Sequence, residues 1–398
     1  MVAGRAGVGT NQENVRRHNL GTALGHVHVA GRVSRAELTA RMGLNRSTIA
    51  GLVSELESLG LASQGKARAA RAGAGRPSVD VLAGSRAHVI AVDVRVDGLV
   101  VARVGLGGVV EARASGPVAP HHDPDTTVES IAELVHLVTK DAPRESAQVG
   151  VGVGVPGMIQ VADGVVRLAP NLAWVDVPLA RMLAERLGTV QMPVLANDAD
   201  LGALAEHLRG AAVGVDDLVY LSGEIGVGAG VITGGVPLGG AGGYAGEIGH
   251  IPFQPDGPAC HCGAYGCWET LVGGVAIAEA IDCPPERIAS LGEVLDAITD
   301  VTPGLRQVAE HLGTGIAGLV NVINPSMVVM GGFLRALLPL VQDDVLAALD
   351  RQALRSHREQ VRIVAPGLGG DSVLLGAAEL AFAELLADPV SCLEIASA

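Results

Sequence analysis

Alternation of short apolar segments with helical patterns is the feature that most constrains the fold of this chain. Such segments predict a mixed α/β sheet that is covered on both faces. The predicted strand regions are 88–106, 148–159, 193–207, 217–235 and 327–333, with helices at 199–209 and 306–322. Glycine-rich turns are expected at 152–157, 226–230 and 331–332, where the backbone could approach a phosphate or a sugar. The length of 398 residues indicates two or three domains.

Charge is distributed unevenly along the chain. Residues 1–78 contain 11 basic and 4 acidic residues, whereas the remainder contains 17 basic and 38 acidic residues. The formal charges are therefore +7 and −21. A small basic head on an acidic body predicts that only the head meets a polyanion. A basic tail without a partner is the alternative.

The head, assigned to residues 1–82, has the pattern of a helix-turn-helix. Ser34 and Glu37 form an S-x-x-E capping box, so a helix begins at about Arg35, and Gly43 breaks it. A second helix begins near Asn45 and ends at Gly60, with an apolar stripe along one face. A helix pair that serves packing alone is the alternative. The predicted DNA contacts at these helices are Arg35, Asn45, Arg46, Ser47 and Thr48.

A basic, Gly/Ala-rich segment follows the second helix. It lies between predicted strands near Leu61 and Val79, as the wing of a winged helix-turn-helix would. Arginine and lysine in such a wing can reach phosphates or a minor groove. The residues assigned to this role are Lys66, Arg68, Arg71 and Arg76.

The body resembles the ROK family of repressors, open reading frames and sugar kinases, and most closely its DNA-binding branch. The likeness spans about residues 12–386. The motifs that carry it are VPGMI (155–159), APNLAW (169–174), ANDAD (196–200), GGYAGEIGH (242–250), CHCGAYGCWE (260–269), INPSMVVMGG (323–332), LLGAAELA (374–381) and, on the head, VRRHN (15–19), SRAEL (34–38) and GRPS (75–78). The resemblance implies a two-lobed, actin-like ATPase fold of the ribonuclease H-like class. We expect lobes at 83–200 and 201–398, with the C-terminal helix returning to the first lobe.

Three of the five cysteines fall in one short loop, within 247–269. Cys260, Cys262 and Cys267 supply three thiolates, and His250 lies ten residues upstream of Cys260. Four protein ligands with no open position predict a structural Zn²⁺ site, and the resemblance implies the same four residues. A 262–267 or 260–267 disulfide is the alternative, which a cytoplasmic setting disfavours. His261 is expected to point away into solvent.

The resemblance also implies a sugar site between the lobes. The residues that correspond to the family's sugar contacts are Gly157, Asn171, Asn197, Asp198, Glu247, His250 and Glu269. Carboxylates and amides suit a ligand with many hydroxyls, and one imidazole could bind zinc and sugar through its two nitrogens. A turn role for Asn171 and a surface helix cap for Glu269 are the alternatives.

The two phosphate loops depart from the family pattern. In the family's kinases Asp198 corresponds to the general base. The first loop, D-x-G-G-T in the family, here runs from Asp93 to Asp97 without its glycines or threonine. In the second, G-T-G-x-G-x-G in the family, Glu224 replaces the threonine. Added carboxylates oppose triphosphate binding, although Arg95 could offset one of them.

These features together predict a sugar-responsive transcriptional regulator, a repressor of carbohydrate-utilisation genes, without kinase activity. An active sugar kinase with a DNA-binding head and a regulator controlled by a protein partner are the alternatives. Expected partners are double-stranded operator DNA, a sugar or sugar-phosphate effector, and further copies of the chain in a homodimer or homotetramer. With no transmembrane stretch or leader, a cytoplasmic protein that binds no membrane is expected.

Overall fold

The computed structural model describes residues 11–65 and 79–396. The head is formed by α1 (Gln12–Ala30), β1 (Arg32–Ser34), α2 (Arg35–Met42), α3 (Arg46–Ser58), β2 (Ala62–Gly65) and β3 (Asp80–Ala83). The strands pair antiparallel in the order β1-β3-β2. The predicted wing residues Lys66, Arg68, Arg71 and Arg76 lie outside the described residues.

Local capping explains where the head helices begin and end. The Ser34 hydroxyl accepts a hydrogen bond from the Glu37 N–H (3.1 Å), and the Asn45 side chain accepts one from the Thr48 N–H (2.8 Å). Gly43, between the two helices, adopts a left-handed conformation (φ 64°) that favours glycine. The predicted helix-turn-helix is therefore present, beside the three-stranded sheet of β1, β2 and β3.

The first lobe is built on a sheet in the order β11-β7-β4-β5-β6, flanked by a small antiparallel sheet, β10-β9-β8. Its elements are β4 (Ala87–Val94), β5 (Leu99–Gly105), β6 (Val109–Gly116), α4 (Pro124–Thr139), β7 (Ala147–Val155), β8 (Met158–Gln160), β9 (Val165–Ala169), β10 (Trp174–Val177), α5 (Leu179–Leu187), β11 (Val194–Asn197) and α6 (Asp198–Arg209).

The second lobe is built on a sheet in the order β14-β13-β12-β15-β16. Its elements are β12 (Leu218–Gly223), β13 (Val227–Thr233), β14 (Val236–Pro237), α7 (Glu269–Val272), α8 (Gly274–Ala280), α9 (Leu291–Asp296), α10 (Pro303–Ile323), β15 (Met327–Met330), α11 (Leu334–Gln352), α12 (Arg355–Arg358) and β16 (Arg362–Val364). Two further helices, α13 (Ser372–Ala387) and α14 (Pro389–Ala396), follow β16 and pack on the first lobe.

The two large sheets share one topology. In each, an antiparallel meander (β4-β5-β6 or β12-β13-β14) is followed by two strands that pair in parallel on the other side of its first strand. This duplication is the two-lobed, actin-like architecture that the sequence predicts. The expected division after residue 200 falls inside α6, which packs against β12 and β13 and also against α13. Helix α13 in turn packs on β4 and β7 of the first lobe.

Four of the eight glycines expected in ligand-binding turns lie instead within strands. The prediction was wrong for much of 152–157 and 226–230, which belong to β7 and β13. A Cβ on Gly152 would lie 2.0 Å from the Ala377 carbonyl oxygen of α13, and one on Gly230 would lie 2.2 Å from the Ala199 carbonyl oxygen of α6. These glycines therefore permit close packing of helices on the sheets. At 331–332 a turn does follow β15, with Gly332 at φ 56°.

Helix α1 joins the head to the body. Its buried side chains, including Leu20, Leu24 and Val27, belong to one hydrophobic cluster with Leu56 of α3 and Phe382 of α13. Head and body thus share a continuous core. None of the helices within 11–65 and 79–396 combines the length and apolar composition that a bilayer crossing requires.

Candidate functional site

The seven residues predicted to contact sugar line a single cleft between the lobes, around a cavity of about 170 Å³. They are Gly157, Asn171, Asn197, Asp198, Glu247, His250 and Glu269. Residue 157 precedes β8, and residue 171 lies between β9 and β10. Residues 197 and 198 lie at the start of α6, and the other three lie in or next to the cysteine loop. The fold therefore brings together polar groups that are up to 112 positions apart in the sequence.

Asn197 holds the first-lobe wall of the cleft in place. Its Oδ1 accepts from the backbone N–H of Ala199 (2.8 Å) and so caps α6, while its Nδ2 donates to the Gly157 carbonyl (3.0 Å). Gly157 has a positive φ of 148°, and a Cβ there would lie 2.5 Å from the Leu168 carbonyl oxygen. Asn171 lies in a short helical turn (Pro170–Leu172) and also lines the cleft. The turn role and the cleft position therefore do not exclude each other.

Carboxyl groups in the cleft have raised pKa values. Burial and the neighbouring Asp93 raise the pKa of Asp198 to about 6, and the Ser222 hydroxyl donates to Asp198 at 3.3 Å. Burial, together with Asp198 and Glu247, raises the pKa of Asp200 to about 7. A carboxylate with a pKa near 6 is able to accept a proton from a hydroxyl group placed beside it.

The side chains of His250, Cys260, Cys262 and Cys267 form one compact cluster. Their ligand atoms all lie within 4.8 Å of one another. Cys260 Sγ is 3.7 Å from His250 Nδ1, and Cys262 Sγ is 3.7 Å from Cys267 Sγ. A tetrahedron with Zn–S of about 2.3 Å and Zn–N of about 2.0 Å has edges of roughly 3.5–3.8 Å. The donor set and its spacing therefore fit Zn²⁺, and the cysteines are free thiols.

The loop backbone explains this convergence. Pro252 pairs with Cys267 and Ala259 pairs with Tyr265 in isolated antiparallel bridges, so the loop folds back on itself. Gly263 and Gly266 have φ values of 91° and 62°. A Cβ on Gly266 would lie 1.5 Å from the Gln254 carbonyl oxygen, so only glycine fits at this position.

His250 connects the cysteine cluster to the cleft. Its Nδ1 faces Cys260, while its Nε2 lies 3.9 Å from Glu247 Oε2. Glu269, the first residue of α7, accepts from the Val227 N–H (3.1 Å) with Oε2, and its Oε1 lies 3.7 Å from Cys260 Sγ. Glu269 thus contacts both β13 and the cluster, which a surface helix cap would not do.

A second cavity, of about 220 Å³, adjoins the cleft on the side of the two altered loops. Asp93 is buried and forms an ion pair with Arg95 (2.6 Å), whose guanidinium also donates to the Gly370 carbonyl (3.3 Å). Glu224 lines both cavities. Glu224 is solvent exposed and lies near the carboxyl groups of Asp198 and Asp93 and the guanidinium of Arg95.

The head presents its predicted DNA contacts at the start of α3. Arg46 and Ser47 are exposed there, and Thr48 is half-buried. The Asn45 side chain accepts from both Ser47 Oγ (2.7 Å) and Thr48 Oγ1 (3.0 Å), so these polar groups are ordered around the cap. Arg35 is half-buried, and its backbone N–H donates to the Val79 carbonyl next to β3. Arg35 therefore also connects α2 to the residue that precedes β3.

Sequence reasoning missed three residues in or beside the cleft. Ser222, near the end of β12, and His261 line the cleft itself. Asp200, two residues after Asp198 on α6, lines a neighbouring cavity that shares Gly157, Asn197 and Glu247 with the cleft. His261 is exposed to solvent, as expected, and it also lines the rim of the cleft. The ANDAD motif contained the only available signal, namely a second carboxylate at Asp200.

Comparison with known proteins gives two groups of relatives. Residues 89–384 match the profile of the ROK family. The xylose repressor of Caldicellulosiruptor bescii is 28% identical over 383 residues, covering 90% of this chain and 93% of that protein. The glucokinase of Streptomyces coelicolor is 31% identical over 283 residues, covering 64% and 87%.

Solved structures give the same division. A ROK family transcriptional regulator, described as a homologue of the E. coli MLC protein, aligns with a TM-score of 0.75 at 22% identity, covering 97% of this chain and all of that one. A ROK family glucokinase from Streptomyces griseus, in complex with glucose and AMPPNP, aligns with a TM-score of 0.62 at 28% identity, covering 74% and 99%. Because the first alignment covers 97% of this chain, it includes the head.

Proposed function

Because this chain belongs to the ROK family, we propose that it is a sugar-responsive transcriptional repressor. In this proposal the head binds operator DNA, a sugar binds in the cleft, and the occupied cleft alters the affinity of the head for DNA. The xylose repressor that resembles this chain covers 90% of it, which includes part of the head, whereas the glucokinase covers 64%. Their names make D-xylose and D-glucose the first effectors to test.

The observation that carries the proposal is the contrast between the two adjoining cavities. The cleft is lined by the seven hydroxyl-binding candidates together, while the neighbouring cavity is lined by Asp93, Asp97 and Glu224. Carboxylates beside a triphosphate repel it, and Arg95 is already paired with Asp93. These contrasts support sugar binding in the cleft and weak binding of ATP in the neighbouring cavity.

The cysteine loop has a structural role in this proposal. His250, Cys260, Cys262 and Cys267 would hold Zn²⁺, which supplies a fixed cross-link and no open coordination position. His250 would then present Nε2 to the cleft in a fixed orientation, next to Glu247. Glu269 would remain hydrogen-bonded to Val227 and so connect the loop to β13.

An active sugar kinase is the second candidate, and one observation favours it. Asp198 is retained, and burial with Asp93 raises its pKa to about 6, in the range of a general base. Catalysis of phosphoryl transfer depends mainly on positioning and charge stabilisation of the nucleotide, so Asp198 without a phosphate cradle supports little turnover.

The test is a thermal-shift screen of the full-length protein with D-xylose, D-glucose, their phosphates and MgATP. A ligand at about 100 times its Kd adds about 2.7 kcal/mol to the free energy of unfolding, which is readily measured. We expect stabilisation by a sugar and none by MgATP. Stabilisation by both, with release of ADP in the presence of sugar, would establish the kinase instead. Stabilisation by no sugar, with DNA binding that responds only to a captured protein, would overturn the sugar response.

A further inference from the structure

A buried polar cluster joins the head to the body at a place remote from the cleft. His28 of α1 is fully buried, and its Nε2 lies 3.0 Å from Oε2 of Glu379 on α13. The His28 Nδ1 accepts from the Gly107 N–H (3.1 Å), which leaves Nε2 to donate to the carboxylate. Burial raises the pKa of Glu379, but hydrogen bonds and charge from His28 and Arg209 outweigh it and lower the pKa overall.

Arg209, the last residue of α6, completes the cluster. Its Nε donates to Glu379 Oε1 (2.5 Å), and its terminal nitrogens donate to the carbonyls of His28 (3.2 Å) and Val29 (3.2 Å). These carbonyls lie at the C-terminal end of α1, where a helix leaves acceptors without partners inside the helix and where its dipole favours a cation. Arg209 Nη1 also donates to the Gly107 carbonyl (3.0 Å), so the guanidinium contacts the β5–β6 turn.

Helix α6 extends from the cleft to this cluster. It begins with the Asn197 cap and Asp198 in the cleft and ends at Arg209, a length of roughly 18 Å at 1.5 Å per residue. One turn before its end, the buried carboxylate of Glu206 accepts from the N–H groups of Gly367 (2.8 Å) and Leu368 (3.0 Å). The same helix therefore contacts the cleft, the segment that leads into α13, and the head.

Close packing on both sides makes α6 a stiff element. A Cβ on Gly202 would lie 2.4 Å from the Tyr220 ring, so α6 rests directly against β12. On the other side, a Cβ on Gly376 of α13 would lie 2.0 Å from the Leu201 carbonyl oxygen. Helices packed this closely shift as units, and interfaces of this kind move between discrete arrangements rather than deforming gradually.

We propose that Arg209, Glu379 and His28 form a clasp through which α6 transmits the state of the cleft to the DNA-binding head. This inference rests on the proposed function for the identity of the two ligands. A displacement of α6 at Asn197 and Asp198 moves Arg209, and Arg209 moves the C-terminal end of α1, to which the helix-turn-helix is attached. All three are positioning residues, because none of them lines the cleft or the start of α3.

The test compares Arg209→Gln with Arg103→Gln in the full-length protein. Arg103 is a matched control: it is buried in β5, pairs with Glu111 (2.9 Å) and donates to the Val138 carbonyl (3.0 Å), away from α6 and the head. The DNA probe is a duplex selected from a random library by the wild-type protein. The Kd of each protein for this duplex is measured with and without D-xylose or D-glucose, whichever binds. The Kd of each protein for the sugar is measured by calorimetry.

We expect sugar to change the DNA Kd of the wild type by about 5- to 150-fold, the usual range of allosteric coupling. In Arg209→Gln, sugar should change the DNA Kd by no more than about twofold. The sugar Kd of this variant, measured without DNA, should differ from that of the wild type by less than about threefold. Arg103→Gln loses thermal stability but keeps the wild-type factor. The clasp would be overturned if sugar changed the DNA Kd of Arg209→Gln as much as that of the wild type. It would also be overturned if Arg103→Gln lost this sugar effect to the same extent as Arg209→Gln.

Hydrogen exchange keeps the test decisive if neither sugar affects DNA binding, an outcome that would remove the proposed function. Asn197→Ala then perturbs the cleft end of α6 directly by removing its cap. We expect Asn197→Ala to speed exchange of the amides of residues 24–31 by at least about twofold. Combined with Arg209→Gln, it should cause no exchange beyond that of Arg209→Gln alone. Exchange at 24–31 equal to the wild type in Asn197→Ala would overturn transmission through α6.

Discussion

Arg95 Nε lies 2.6 Å from Asp93 Oδ2, so the first altered loop neutralises its own buried carboxylate with its own guanidinium. Burial raises the pKa of Asp93 despite this partner. The pair lies beside Glu224, and Arg95 also donates to the Gly370 carbonyl near the start of α13. A cation engaged in this way contributes little attraction to a nucleotide phosphate.

Rebuilding both loops should therefore restore nucleotide binding. The combined variant Arg95→Gly, Val96→Gly, Asp97→Thr and Glu224→Thr removes two acidic side chains and returns backbone N–H groups to the cavity wall. We expect MgATP to raise the Tm of this variant by several degrees and to leave the wild type unchanged. The measurement is differential scanning fluorimetry with a titration of MgATP.

Glu224→Thr alone is the control for charge, because it leaves the Asp93–Arg95 pair intact. It should show a much smaller response than the combined variant. A wild-type protein that MgATP stabilises as strongly as the rebuilt one would contradict the assignment of a closed nucleotide cavity.

Loss of one thiolate should abolish metal binding. Cys262→Ser leaves three ligands around a position whose ligand atoms lie within 4.8 Å, and a structural site needs four. We expect the zinc content, measured by plasma mass spectrometry, to fall from about one ion per chain to near zero, with a lower Tm. Cys283→Ser, outside the cluster, should retain the metal. Equal zinc in both variants would contradict the site.

Local features of the head and loop were predictable because they depend on neighbours in sequence. Ser34 and Asn45 cap helices within three residues, and the four candidate metal ligands fall within 18 residues. The fold class followed from the strand and helix alternation and from the motifs. Whether these residues bind DNA, metal or sugar stays a prediction.

Long-range packing was not predictable in the same way. Gly152 and Gly230 were assigned to ligand-binding turns, because only the folded chain shows that α13 and α6 press against them. Arg209 and Glu379 are 170 residues apart, and each is an ordinary charged residue of a helix in the sequence. Their pairing depends on the way α6 and α13 pack together.

Sugar affinity should depend on the carboxylate of Asp198. Asp198→Asn keeps the size of the side chain but replaces an acceptor oxygen with an amide, so a hydrogen bond to a charged group is lost. Because such bonds contribute about 1.5–3 kcal/mol, we expect the Kd for D-xylose or D-glucose to rise about 10- to 100-fold. Isothermal titration calorimetry provides the measurement. The exposed Asp343→Asn on α11 is the control, and equal affinities in the two variants would exclude Asp198 from the sugar site.

Stability should depend on pH through Asp200. Burial with Asp198 and Glu247 raises its folded pKa to about 7, from an ordinary 3.8, so the folded state binds the proton more tightly. This contribution is fully present below pH 3.8 and is lost as the pH rises through about 7. Asp200→Asn should therefore stabilise the protein at pH 8 by about 1 kcal/mol, with a gain that shrinks toward pH 5. Denaturant unfolding at several pH values tests this, and exposed Asp300→Asn should give no such trend.

DNA affinity should depend on Arg46, the exposed first residue of α3. The body carries a formal charge of −21 and repels DNA, so attraction has to come from the basic head. If Arg46 contacts a phosphate, Arg46→Ala should weaken binding about tenfold on all sequences and reduce the slope of log Kd against log salt by about 1. If it contacts a base edge, the loss should be confined to the selected duplex. Fluorescence anisotropy over a range of salt concentrations distinguishes these outcomes, with the exposed Arg181→Ala on α5 as the control. Unchanged affinity in Arg46→Ala on both selected and random duplexes would remove α3 from the DNA interface.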